Sequence, residues 1–175
     1  LKSIQGNIRV GKSDLFVTEA CEYTNSFLSF YPRIGIILNI EEDHLDFFRD
    51  LDDIRSSFRR FAQLLPEDGL LIISGDISDY EEITRGLSCS VLTFGSDSSC
   101  DYYYDGISHD EFAHASFTLH RRGGSDIPVS LGVPGEHNIL NALAALALAD
   151  YLKLDIETAA RALKNFTGTD RRFEY

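Results

Sequence analysis

Four short apolar runs, each followed by polar residues, constrain the fold of this chain more than any other feature. They are residues 15–18, 34–38, 70–73 and 91–94. Continuous apolar runs of this length are typical of strands buried on both faces of a parallel sheet. Residues 50–65 have a helical apolar period, and residues 78–87 form a second predicted helix. The order β-β-α-β-α-β predicts an α/β fold with a mostly parallel sheet flanked by helices.

The pattern changes after residue 95. Three alternating segments follow, at residues 102–104, 115–120 and 127–131, and Gly123-Gly124 separates the last two. They predict a small antiparallel β appendage. Residues 137–152 are almost all Ala, Leu and Asn, which predicts a buried helix, and residues 155–163 predict another.

Composition excludes several classes of partner. The formal net charge is −12, which disfavours nucleic acids and anionic membrane surfaces because both attract basic patches. The three cysteines lack metal-binding spacing and fit a reducing, cytoplasmic location. No apolar run is long enough to span a membrane. We therefore expect a domain without nucleic-acid or membrane partners, and the composition indicates no oligomeric state.

Two potential ligand side chains follow the first two predicted strands. Glu19 comes directly after residues 15–18, and His44 lies shortly after residues 34–38. Ligands of open α/β sheets bind at the carboxyl ends of the strands, so neighbouring strands would bring this pair together. A carboxylate and an imidazole can hold Mg²⁺ or Mn²⁺, or act as acid and base. Alternatively, Glu19 is a solvated strand-end residue and His44 caps the following helix.

Polar residues also mark the start of the apolar helix and the end of the chain. Asn138 and Asn141 are three residues apart, so their amides share one helix face and could read a nucleobase edge. The alternative is that Asn138 caps the helix and Asn141 bonds the backbone. Arg171 and Arg172 follow a Gly-containing linker and suit phosphate contacts, or are a solvated pair.

Four segments resemble motifs of the Mur ligase family, which are ATP-dependent amide-forming ligases of peptidoglycan precursor synthesis. They are residues 19–28, 39–46, 134–142 and 168–173, and together the motifs extend over nearly the whole chain. The resemblance implies a P-loop NTPase-like fold. It also implies that residues 1–168 form the later part of the central ATP-binding domain, and that residues 169–175 form a linker and the start of a C-terminal domain.

The resemblance assigns roles residue by residue. It implies that Glu19 and His44 are catalytic and bind Mg²⁺. The residues implied to bind ATP are His137, Asn138, Asn141 and Arg172. The implied cofactors are thus ATP and Mg²⁺.

One absence favours a particular activity within the family. Members that add later residues, and folylpolyglutamate synthetase, use a carbamylated lysine shortly after the histidine motif, whereas no lysine occurs here between Lys12 and Lys153. This favours a cytoplasmic enzyme that joins L-alanine to UDP-N-acetylmuramate. Cys21, Tyr23 and Thr24 differ from the residues that are common at these positions of the family motif. A related murein tripeptide ligase therefore remains an alternative. The residues are also compatible with a P-loop phosphotransferase, or with an α/β nucleotide-binding domain that has no catalytic activity.

The Gly-rich phosphate loop of the family is absent. The nearest segment, residues 10–13 (Val-Gly-Lys-Ser), lacks the first glycine of that signature. We therefore expect that this chain alone neither hydrolyses ATP nor ligates alanine.

Overall fold

A computed structural model describes residue 8 and residues 10–168. Its six strands form one sheet in sequence order: β1 (Ile34–Ile37), β2 (Leu70–Ser74), β3 (Ser90–Gly95), β4 (Tyr102–His109), β5 (His114–Arg121) and β6 (Ile127–Pro134). Strands β1 to β4 are parallel, and β5 and β6 continue the sheet in antiparallel fashion. The predicted fold class is confirmed. The appendage is continuous with the parallel part, because Tyr102 of β4 pairs with Phe94 of β3.

The four helices in the described residues are α1 (Leu51–Ala62), α2 (Tyr80–Thr84), α3 (His137–Tyr151) and α4 (Ile156–Asn165), preceded by a 3₁₀ segment at Tyr23–Ser29. Two of the four, α1 and α4, begin at a side-chain cap. Asp50 caps α1 by accepting a hydrogen bond from the Asp53 amide at 2.9 Å. Asp155 caps α4 in the same way through the Thr158 amide. A side-chain oxygen at this position satisfies an otherwise unpaired amide of the first turn.

Strand β2 shows how the sheet is covered on both faces. Its leucines and isoleucines are fully buried. Leu70 and Ile72 belong to the core under α3 and α4, whereas Leu71 and Ile73 belong to the core that includes Phe61 of α1. Alternate residues of a strand point to opposite faces, so the apolar run contributes to two cores. Each fully buried side chain contributes about 1.5–3 kcal/mol.

The prediction of a strand at Leu15–Thr18 is wrong. Leu15, Phe16 and Val17 are 52%, 86% and 82% exposed, and the segment has no regular structure. A strand requires a neighbouring strand to satisfy its backbone hydrogen bonds. Within the described part of the chain the sheet begins at β1, so this segment has no partner there.

The predicted helix at residues 78–87 is shorter than expected, since α2 covers only Tyr80–Thr84. Arg59 of α1 donates hydrogen bonds to the backbone carbonyls of Glu82 and Arg85. These contacts occupy carbonyls at the end of α2 and attach it to α1.

Strand direction decides which loops can meet. Strand β6 is antiparallel to β5, which is antiparallel to β4, so β6 runs in the direction of β1 to β4. The loop after β1 and the α3 N-terminus after β6 therefore lie at the same carboxyl edge of the sheet. Across the described residues, no helix has the length and apolar character needed to cross a membrane.

Candidate functional site

The loop that follows β1 is folded into a tight turn around His44. The Asp43 carboxylate accepts a hydrogen bond from the His44 amide at 2.7 Å. The His44 carbonyl accepts hydrogen bonds from the amides of Phe47 and Phe48. His44 has φ +53°, in the left-handed region that side-chain-bearing residues seldom adopt. Since Asp50 caps α1, His44 does not cap that helix.

Three side chains that can bind a metal converge at this turn. His44 Nε2 lies 3.5 Å from Glu22 Oε1, and His44 Nδ1 lies 3.8 Å from Asp43 Oδ1. One ligand atom from each of the three lies within 4.8 Å of the others. Two carboxylates and an imidazole suit Mg²⁺ or Mn²⁺ when water and phosphate oxygens complete the coordination shell. The donor set therefore fits the implied cation.

The structure places Glu22, rather than Glu19, against His44. Glu19 is exposed in the irregular segment before the 3₁₀ turn, and it is not a member of the three-residue cluster. The role of Glu19 as a ligand stays a prediction. Glu22 was not among the predicted site residues, although it ends the same Glu-Ala-Cys-Glu motif that begins at Glu19.

A pocket of about 200 Å³ lies beside this cluster. Glu22, Asn39 and residues 41–43 form its polar side, and its apolar wall consists of Ile40, Phe48, Ile54 and Phe58. The polar lining includes four carboxylates, at residues 22, 41, 42 and 43. Such a surface attracts cations and repels an uncompensated phosphate.

The start of α3 presents the second group of predicted site residues. The side-chain amide of Asn138 donates a hydrogen bond from Nδ2 to the Pro134 carbonyl at 2.8 Å. The side-chain amide of Asn141 donates one from Nδ2 to Asn138 Oδ1 at 3.2 Å. Asn141 and His137 are exposed, and Asn138 is half-buried. The two amides do share one face, as predicted. Asn138 braces the preceding loop and does not cap α3, because the N-cap residue is Glu136.

A glycine shapes this loop. Gly135 has φ +102°, and a Cβ at that position would lie 2.8 Å from the His137 ring. Only glycine adopts this conformation without strain and leaves space for the imidazole. The loop therefore depends on Gly135 to place His137 and Asn138.

Tyr104 of β4 is affected by the charges of two loops at the carboxyl edge. Burial raises the pKa of Tyr104, and the negative charges of Asp76 and Glu136 raise it further. Asp76 itself accepts hydrogen bonds from the amide and hydroxyl of Ser96, both at 3.0 Å. Hydrogen bonds thus join the loops after β2 and β3 at the carboxyl edge. Arg172 lies outside the described residues.

Taken together, the mixed sheet and the ligand-type side chains at its carboxyl edge define an α/β domain of the kind that binds ligands at that edge. Residues 3–149 match the Mur ligase middle domain. The chain belongs to the Mur ligase family, as its middle domain.

Relatives agree with this assignment. The chain is 54% identical over 175 residues to the UDP-N-acetylmuramate–L-alanine ligase of Agathobacter rectalis, covering 100% of this chain and 38% of the relative. The chain therefore spans 38% of the length of that relative.

Solved structures also match the chain. The UDP-N-acetylmuramate-alanine ligase of Thermotoga maritima is 31% identical with a TM-score of 0.68, covering 85% of this chain and 32% of that one. MurF of Acinetobacter baumannii is 27% identical with a TM-score of 0.74, covering 87% and 32%.

Proposed function

We propose that the protein containing this chain is an ATP-dependent ligase that joins L-alanine to UDP-N-acetylmuramate in peptidoglycan precursor synthesis. The observation that carries the proposal is the cluster of Glu22, Asp43 and His44 at the carboxyl edge of a Mur ligase middle domain. The names of the relatives supply the two substrates. ATP and a UDP-sugar as substrates favour the cytoplasm.

The reaction has two chemical steps. A carboxylate is a poor acyl donor, so an oxygen of the sugar-nucleotide carboxylate first attacks the γ-phosphorus of ATP. ADP leaves, and an acyl phosphate remains. The amine of L-alanine then attacks the carbonyl carbon, phosphate leaves with the C–O bonding electrons, and the nitrogen loses a proton.

The cluster prepares the first step. Glu22, Asp43 and His44 would hold Mg²⁺, with Glu19 of the same segment as a further ligand. Mg²⁺, when bound, neutralises charge that develops on the transferring phosphoryl group. Because this loop is strongly acidic, its own side chains repel a bare triphosphate. The loop therefore favours a nucleotide that arrives with its cation.

The other predicted residues hold the nucleotide. In this proposal Asn138 and Asn141 contact the adenine edge, His137 lies beside them, and Arg172 contacts a phosphate. Residues 1–168 form the later part of the ATP-binding domain, and residues 169–175 lead into a C-terminal domain. The loops after β1 and β6 lie at the same edge of the sheet but on its two outermost strands. The bound nucleotide would therefore extend along that edge, from the cluster at the β1 loop to the start of α3.

An ADP-release assay on the full-length protein tests the proposal. UDP-N-acetylmuramate is supplied with L-alanine, glycine, L-serine or the tripeptide L-alanyl-γ-D-glutamyl-diaminopimelate. We expect turnover to require the sugar nucleotide and to be fastest with L-alanine. His44→Ala should lower kcat about a hundredfold or more, whereas Tyr31→Ala, at a residue that is 95% exposed, serves as the control. Preference for the tripeptide would instead identify a murein tripeptide ligase.

A further inference from the structure

Tyr23 lies directly against the imidazole of His44. The two ring centroids are 4.5 Å apart with an interplanar angle of 33°, and Phe47 contacts the Tyr23 ring edge-on at 6.1 Å. Such ring contacts are favourable and have a preferred geometry. One face of the His44 ring is therefore covered by a neighbour that follows Glu22 in the chain.

The hydroxyl group of Tyr23 is also held. It donates a hydrogen bond of 2.7 Å to Asp46 Oδ2, two residues after His44. Tyr23 thus contacts the turn that contains His44 at two points: its ring packs against His44, and its hydroxyl binds Asp46.

The segment that carries Tyr23 is anchored to the body of the domain. Phe27 is buried and stacks on Phe61 of α1 at 4.9 Å. Asn25 accepts a hydrogen bond from the Ser57 hydroxyl of α1. Thr24 and Asn25 both have positive φ, and this kink turns Glu22 and Tyr23 towards the His44 loop. Tyr23 is therefore presented by a fixed element.

We propose that Tyr23, held by Asp46, is a positioning residue that fixes the plane of the His44 imidazole, so that His44 Nε2 and the Glu22 carboxylate face the same cation. The inference deepens the proposed function and rests on it, since the cation role of His44 belongs to that proposal. Glu22 and Tyr23 are adjacent in the chain, so one segment supplies both a ligand and the support of another ligand. A ring contact of this geometry favours one orientation of the imidazole, by about two- to tenfold in an equilibrium.

The test uses the full-length protein with histidine labelled for NMR. The His44 resonance is identified by its loss in His44→Asn. At one fixed pH and without metal, Tyr23→Leu should move the imidazole proton resonance of His44 downfield, because the shielding aromatic ring is gone. Tyr23→Phe keeps the ring and should move it much less. Tyr31→Leu is the matched control, since Tyr31 is 95% exposed.

The second readout is the dependence of ligation on Mg²⁺. Tyr23→Leu should raise the half-saturating Mg²⁺ concentration about two- to tenfold, while kcat at saturating Mg²⁺ falls less. Asp46→Ala should raise it by a smaller factor. Thermal melting of each variant shows whether the fold is kept.

The outcomes separate the two ideas. If His44→Asn changes the Mg²⁺ dependence and Tyr23→Leu does not, the positioning role is refuted and the proposed function stands. If His44→Asn leaves the Mg²⁺ dependence unchanged, the cation role of His44 and the positioning role of Tyr23 are both refuted, and the ligase activity is decided separately by the substrate test. An unchanged His44 resonance in Tyr23→Leu would refute the ring contact itself.

Discussion

Gly132 of β6 lies where the end of α4 packs against the sheet, and replacing it with alanine should destabilise the domain. A Cβ at this position would lie 2.6 Å from the Phe166 carbonyl oxygen and closer still to the Lys164 carbonyl oxygen. Cβ contacts below 3.0 Å essentially never occur in proteins. Both obstacles are backbone atoms, so no flexible side chain can move aside. The strand and the end of α4 must separate by several tenths of an ångström.

Overpacking of this kind costs about 1–3 kcal/mol. For a domain of this size, each kcal/mol lowers the melting temperature by about 2–4 °C, so we expect a decrease of about 2–12 °C. Thermal melting monitored by circular dichroism measures the decrease. Gly11→Ala is the matched control, since its added Cβ would approach no atom closer than 4.0 Å. Equal melting temperatures for the two variants would refute the close approach of α4 to β6.

Three further predictions concern the site and the sheet. Glu22→Gln in the full-length protein should lower kcat about a hundredfold or more; ADP-release rates across Mg²⁺ concentrations measure this, and near-normal rates at limiting Mg²⁺ would exclude Glu22 as a ligand. Asn141→Ala should raise the KM for ATP and narrow the preference for ATP over GTP with little change in melting temperature, because Asn141 is exposed; a pure stability loss would contradict the adenine role. The pKa of His120 is raised mainly by its hydrogen bond to Asp105. Desolvation lowers this pKa, but the hydrogen bond to Asp126 and its charge raise it again. The stabilising contribution of His120 should be complete below the unfolded pKa of about 6.5 and lost as pH rises through the raised folded pKa. Melting temperatures measured from pH 6 to pH 9 should therefore fall more in the original protein than in Asp105→Asn, and equal slopes would contradict this.

The sequence predicted where the candidate site lies, but not which glutamate contacts His44. His44 follows an apolar run that does form a strand, so its place at the carboxyl edge follows from local pattern and from a general property of parallel sheets. Glu22 could not be distinguished from Glu19 by spacing. The positive φ angles of Thr24 and Asn25 turn the chain so that Glu22 faces His44, and no periodicity in the sequence indicates such a kink.

Two apolar runs show what the sequence by itself determined and what the tertiary structure decided. Residues 70–73 and the amphipathic helix within residues 50–65 were correctly predicted, because an apolar run and an apolar period are local properties of the sequence. Leu15–Thr18 has the same apolar character, yet its apolar side chains are exposed and it lies outside the sheet of the described residues. Strand formation requires backbone hydrogen bonds from a neighbour, and a chain segment does not carry that neighbour in its own composition. The tertiary structure alone decided which run entered the sheet and which carboxylate met His44.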